Sequence, residues 1–89
     1  MLRITRTSPN ASDVVLKVEG QIMAEWVGLL ESECRGLLGG DQRVLLDLGE
    51  VNYLDRRAVR LLRELTRESL ALVNCPPLVE QLLTEDTAG

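Results

Sequence analysis

The stretch Arg43-Val44-Leu45-Leu46-Asp47-Leu48-Gly49-Glu50-Val51-Asn52-Tyr53-Leu54-Asp55-Arg56-Arg57-Ala58 decides the fold. Val44, Leu45, Leu46 and Leu48 make a short, nearly unbroken apolar run, the pattern of a strand buried on both faces. Gly49 to Leu54 is polar and short, and reads as a loop. Asp55 stands directly before a helical pattern, where an N-cap belongs. The unit is a buried strand, a tight loop and a capped helix. Loops at that end of a parallel strand are where α/β proteins commonly place their sites. Arg56 and Arg57 follow the cap in the first helical turn, where the macrodipole favours negative charge instead.

Upstream, Leu2 and Ile4 alternate with Arg3 and Thr5 as a first strand. Thr7–Asp13 is turn-rich. Val14, Leu16 and Val18 then alternate with Val15, Lys17 and Glu19 as a second strand ending at Gly20. A hairpin joins the two economically. Met23, Trp26, Val27, Leu30, Cys34, Leu37 and Leu38 recur at three- and four-residue steps. That spacing predicts a helix from about Met23 to Leu38, stopped by Gly39-Gly40. Downstream, Ala58, Leu61, Leu62 and Leu65 give a second helix, Arg56–Glu68, its core face. A short apolar strand follows at Leu70–Val73, then a turn through Asn74-Cys75-Pro76-Pro77. Proline suits the first position of the helix after it, whose apolar face is Leu78, Val79, Leu82 and Leu83. Thr84–Gly89 is polar and expected to fray.

The order β-β-α-β-α-β-α, with no repeat and no linker, predicts parallel crossovers of right-handed sense. The expected fold is a small two-layer α/β domain. One domain spans residues 1–89, with an about four-stranded, mostly parallel sheet and helices packed on one face. At 89 residues the chain can bury roughly 60–65% of its unfolded surface, enough to fold alone with modest stability. With one Trp, one Tyr and no Phe, its core is built from Leu and Val.

Ten basic against fourteen acidic residues give a net charge of −4. That balance, with so few aromatics for stacking, argues against nucleic acid as the main partner. Cys34 and Cys75 are far apart and in no metal-ligand spacing, and read as small apolar residues of a reducing compartment. No apolar run approaches a membrane span, and Met1–Asp13 lacks the apolar centre of a signal peptide. A cytoplasmic location is the expectation, with no direct membrane insertion.

Catalytic signatures are missing: there is no His, no phosphate-binding glycine loop and no nucleophile elbow. Asp47 and Asp55 flank the predicted loop. They are better read as a strand-end residue bonding nearby amides and an N-cap than as an acid/base pair. One constellation stands out. At the helical angle Arg56, Arg60, Arg63 and Arg67 fall on one stripe of the second helix, opposite its leucine face. A solvated face, with Glu64 and Glu68 nearby, is the plainer reading. A surface for an anion or an acidic partner is the sharper one, because guanidinium forks match carboxylate and phosphate.

Several segments together resemble the STAS domain, the family named for sulphate transporters and anti-sigma factor antagonists. They are Gly20-Gln21-Ile22, Val44 to Val51, Leu54-Asp55-Arg56-Arg57-Ala58, Leu70-Ala71-Leu72-Val73-Asn74, and Pro77. The resemblance covers nearly the whole chain, although the segment between helix two and the last strand is short for the family. It implies a small α/β domain that is not an enzyme, takes no cofactor and no metal, and binds another protein. In bacterial partner switching that protein is a serine kinase that is also an anti-sigma factor, released when a Ser at the start of helix two is phosphorylated. Other members are subunits of transport complexes, including ABC lipid-transport systems.

The sequence departs from the family pattern at the switch. The motif Asp is kept as Asp55, but Arg56 matches the phosphorylated Ser, Arg57 the next residue and Ala58 the Gly. Arginine neither accepts a phosphate nor mimics one, its charge having the opposite sign. The reading is thus a non-catalytic interaction module without the standard phospho-switch, the alternative being an accessory subunit of a transport complex. Phosphorylation elsewhere, at Thr66 or Ser69, is a separate question. The expected partner-binding residues are Gln21, Asn52, Tyr53, Asp55, Arg56, Arg57 and Arg60. The partner is a protein, an anti-sigma kinase or a transport subunit, and a homodimer stays open.

Overall fold

A computed structural model describes residues 2–23 and 25–88, with the side chains of residues 85–88 outside the description. Its elements run β1 (Leu2–Thr7), β2 (Asp13–Ile22), α1 (Glu25–Leu38), β3 (Arg43–Leu54), α2 (Arg56–Arg67), β4 (Ala71–Val73) and α3 (Pro77–Ala88). The strands form one sheet in the order β1-β2-β3-β4. The hairpin pair β1–β2 is antiparallel and the other two pairs are parallel. The chain thus has the four-stranded mixed sheet and three helices that the alternation of periods predicts.

Inward positions of the strands alternate cleanly at first. Val14, Leu16 and Val18 of β2 and Val44, Leu46 and Leu48 of β3 are all buried. They meet Val27, Leu30 and Cys34 of α1 and Ala58, Leu61, Leu62 and Leu65 of α2 in a single core that also takes Val79 of α3. α1 packs beside α2, α2 beside α3, and all three reach β3. Because both β2–α1–β3 and β3–α2–β4 are crossovers of the same hand between adjacent strands, α1 and α2 share one face. Among the described residues no polar or charged residue is buried, and none of the helices is long and apolar enough to cross a membrane.

α2 ends in a Schellman motif. The Leu70 amide donates to the Leu65 carbonyl (3.1 Å) and the Ser69 amide to that of Thr66 (3.4 Å). Ser69 takes the left-handed conformation at φ 80°, where glycine is usual, and Leu70 is buried after it.

Three expectations need correction. Gly49–Leu54 is not a loop: β3 continues through it to Leu54, with Val51 and Leu54 buried. β2 likewise continues past Gly20 to Ile22, which is fully buried. Two register shifts explain both. Lys17 pairs with Asp47 but Glu19 with Glu50, and Gly20 pairs with Val51 but Gln21 with Tyr53. β3 therefore carries an extra residue at each shift, which breaks the two-residue period by which strands are recognised. The third correction is Leu78, which is 48% exposed, so the core face of α3 rests on Val79 with Leu82 and Leu83 half-buried. α3 extends to Ala88, and Gly89 lies outside the described residues. The described part of α1 begins at Glu25, and Ala24 lies outside the described residues.

Candidate interaction surface

β2 and β3 run in parallel and end side by side, and β3 feeds directly into α2. Gln21 is paired with Tyr53 and Ile22 with Leu54 across this junction. The Asp55 amide donates to the Ile22 carbonyl at 3.1 Å, pinning the start of α2 to the end of β2. The segments around Gly20–Met23 and Gly49–Leu54, distant in sequence, are thus one continuous edge at the carboxyl ends of the parallel strands. Crevices at such edges are where open α/β sheets bind ligands.

Asp55 is the N-cap expected. Its backbone is extended (φ −85°, ψ 178°), its Oδ1 accepts the Ala58 amide at 2.8 Å, and its carbonyl accepts the Val59 amide at 3.0 Å. The carboxylate satisfies one of the free amides at the helix start and sits at the favourable end of the dipole. Asp47 also has a local role, accepting the Gly49 amide at 2.9 Å. A Cβ on Gly49 would stand 3.2 Å from that carboxylate and 3.5 Å from the Asn74 side chain, so the residue is kept small by close approach.

Around the cap, Gln21, Asn52 and Tyr53 are exposed, Tyr53 at 41%. Arg56, Arg57 and Arg60 are exposed as well and, among the described residues, make no ion pair. The structure therefore brings all seven expected residues to one end of the molecule. Beside them lies a shallow hollow lined by Gly49, Glu50, Val51, Asn52, Pro76 and Leu78. Its far wall is not legible in the sequence, because Leu78 sits on an apolar helical pattern that places it in the core.

The arginine stripe is not uniform. The Arg63 guanidinium donates to the Leu83 carbonyl and helps hold α3 against α2. The acidic residues expected to neutralise the stripe point elsewhere. Arg35 of α1 lies 2.8 Å from Glu31, 3.6 Å from Glu64 and 2.7 Å from Glu68. Its hydrogen bonds to Glu31 and Glu68 raise its pKa above the ordinary arginine value. This cluster had no signal in the sequence, since it depends on how α1 registers against α2. Both thiols are free. Burial pushes Cys34 up to about 12, and burial, then Glu80, raises Cys75.

A family model described as Mlab, STAS domain, matches residues 5–85. The chain belongs to the STAS family. Solved structures share the fold of this STAS domain. An anti-sigma factor antagonist from Mycobacterium paratuberculosis is 15% identical with a TM-score of 0.82, the match covering 99% of this chain and 80% of that one. The Bacillus cell fate determinant SpoIIAA in its phosphorylated form is 13% identical with a TM-score of 0.74, over 94% and 83% of the two chains. The STAS domain of an antisigma-factor antagonist from Rhodobacter sphaeroides is 17% identical with a TM-score of 0.61, over 82% and 86%. At these identities the likeness is one of fold. No curated protein is significantly similar in sequence.

Proposed function

We propose that this STAS domain is a non-catalytic module that binds a protein partner through the edge formed by Gln21, Asn52, Tyr53 and the start of α2, in the manner of the anti-sigma factor antagonists it resembles in fold. The observation that carries the reading is the meeting of two strand ends and a capped helix start, which displays Tyr53 beside Arg56, Arg57 and Arg60, all exposed and the arginines without an ion pair among the described residues. An aromatic and several arginines are the residue types that dominate protein interfaces.

The reading includes a partner exchange that is not driven by phosphate at the start of α2. There is no Ser or Thr between Asn52 and Ala58. This same feature favours a second reading, an accessory subunit held in a transport complex, because a permanently docked subunit needs no release step. A photo-crosslinking residue at position 53, with another at the remote Ser8 as control, tests both. The expected result is a crosslinked protein from position 53 alone. A nucleotide-binding anti-sigma kinase as the captured protein supports the first reading and a transport ATPase the second. Equal capture from both positions rejects the surface. Incubation with the captured kinase and ATP is expected to leave Asn52–Ala58 unmodified by mass spectrometry.

A further inference from the structure

The charge on α2 is set apart from that of the rest of the molecule. Five arginines against Glu64 and the C-cap Glu68 make this helix with its cap +3, and since the whole chain is −4, everything outside it sums to −7. Apart from Arg57, which falls at the helical angle between Glu64 and Glu68, the charges of the helix are also sorted. Glu64 and Glu68 lie on the flank facing α1 and are both engaged by Arg35. Arg63, on the opposite flank, is engaged by Leu83 of α3. Arg56, Arg60 and Arg67 project along the crest between these flanks, all exposed and without an ion pair among the described residues.

We infer that this crest is a docking ridge for an acidic helix of the protein partner, an inference that rests on the interaction-module reading and specifies the chemistry of what is bound. From Arg56 to Arg60 is about 6 Å along the axis and from Arg60 to Arg67 about 10 Å. A second helix laid alongside, with carboxylates at the same four- and seven-residue intervals, presents one acid to each guanidinium. Guanidinium groups are suited to this, forming forked hydrogen bonds with carboxylates. The negative body of the domain disfavours a long polyanion such as duplex DNA, which would lie across both regions. A short acidic helix confined to the ridge meets chiefly the arginines of the crest. Glu64 and Glu68 turn to Arg35 and so form no ion pair with the crest arginines.

The test uses the intact chain and a dye-labelled helical peptide with glutamates at intervals of four and seven residues, followed by fluorescence anisotropy. Arg60→Ser/Arg67→Ser is expected to weaken peptide binding roughly five- to tenfold. Arg3→Ser/Arg6→Ser on β1 changes the net charge equally and is expected to leave it unchanged. Raising salt past ~0.15 M weakens the wild type more than the Arg60/Arg67 variant. Equal losses in the two double variants, or tighter binding of a labelled DNA duplex than of the peptide, overturn the inference. Circular dichroism establishes that each variant is folded. The single reversal Arg60→Glu serves as a second variant, with a larger expected loss. Crosslinking from position 53 that persists in Arg60→Ser/Arg67→Ser while the peptide titration is unaffected removes the ridge and keeps the docking surface. Failure of the wild-type crosslink beside a ridge-dependent titration removes the surface and keeps the ridge.

Discussion

The two halves of β3 do different things. Arg43–Leu48 lies between β2 and β4, and its inward residues Val44, Leu46 and Leu48 are fully sealed. Gly49–Leu54 pairs with β2 alone, because β4 reaches only as far as the partner of Asp47. There the buried positions come at three-residue steps, Leu48, Val51 and Leu54, and pairs of neighbours between them, Gly49-Glu50 and Asn52-Tyr53, both face solvent. An extra residue in a strand turns consecutive side chains to the same side and bends the backbone. One strand is thus a scaffold in its first half and a display surface in its second. The bulges are what convert one into the other without a loop.

Truncating one leucine in each half tests the contrast most directly. Leu46→Ala is expected to cost about 4–5 kcal/mol and Leu54→Ala about 2–3 kcal/mol, since the half without β4 can relax into the space left behind. Leu62→Ala, on the buried face of α2, belongs with Leu46, within ~2–5 kcal/mol. Urea midpoints measure all three. Equal costs for Leu46 and Leu54 would mean that both halves are equally braced. Hydrogen exchange sharpens the comparison, with amides of Asn52–Leu54 expected to exchange faster than those of Leu45–Leu48.

The same division decided what could be read in advance. Residues 44–48 and the core faces of α1 and α2 keep strict periods, so their burial follows from spacing, and the strand order follows once sequential strands are taken as neighbours. So does the cap, because Asp55 acts on Ala58 within its own turn. Gly49–Leu54 breaks the period and mixes Gly, Glu and Asn into the run, so it looked like a loop although it is strand. The pairing of Gln21 with Tyr53, the exposure of Leu78 and the capture of Glu64 and Glu68 by Arg35 are tertiary facts. They depend on register between elements, and no local pattern encodes register across a bulge.

Cys34, in the core shared with the scaffold half, gives that half a pH signature. Its folded value is raised from 9.0 to about 12, so its contribution to stability is complete below pH 9. Between 9 and 12 the unfolded chain loses the proton while the folded chain keeps it, and stability falls by roughly 1 kcal/mol per pH unit. Thermal unfolding from pH 8 to 11 should show this decline in the wild type and a shallower one in Cys34→Ala. Identical slopes would mean the thiol ionises in place.

The display half joins α2 through the cap, so a smaller effect is expected there. Asp55→Ala removes the acceptor for the Ala58 amide and should cost ~0.5–2 kcal/mol. Asp55→Asn, which keeps an oxygen acceptor, should recover most of that in stability. An Ala variant as stable as wild type would show that the pinning of Asp55 to Ile22 is enough to start the helix.

The smallest effect has the opposite sign. Arg56 and Arg57 place two positive charges where the free amides of the first turn are already partly positive. Each is expected to cost ~0.3–1 kcal/mol while exposed, partly offset by Asp55. Nothing in the scaffold half carries a comparable penalty, since its charged groups are paired across the sheet or lie outside the core, as Arg43 does with Asp13 at 3.2 Å. Arg56→Ser/Arg57→Ser should therefore raise the melting temperature in low salt, and the gain should shrink as salt screens the dipole. The same variant should crosslink less partner from position 53. Greater stability with weaker capture is the combination that a binding role for the two arginines requires, because a group kept for contact is freed from its cost when removed. If the variant is no more stable and captures as well as wild type, the two arginines are ordinary surface residues and the display half owes its function to Gln21, Asn52 and Tyr53.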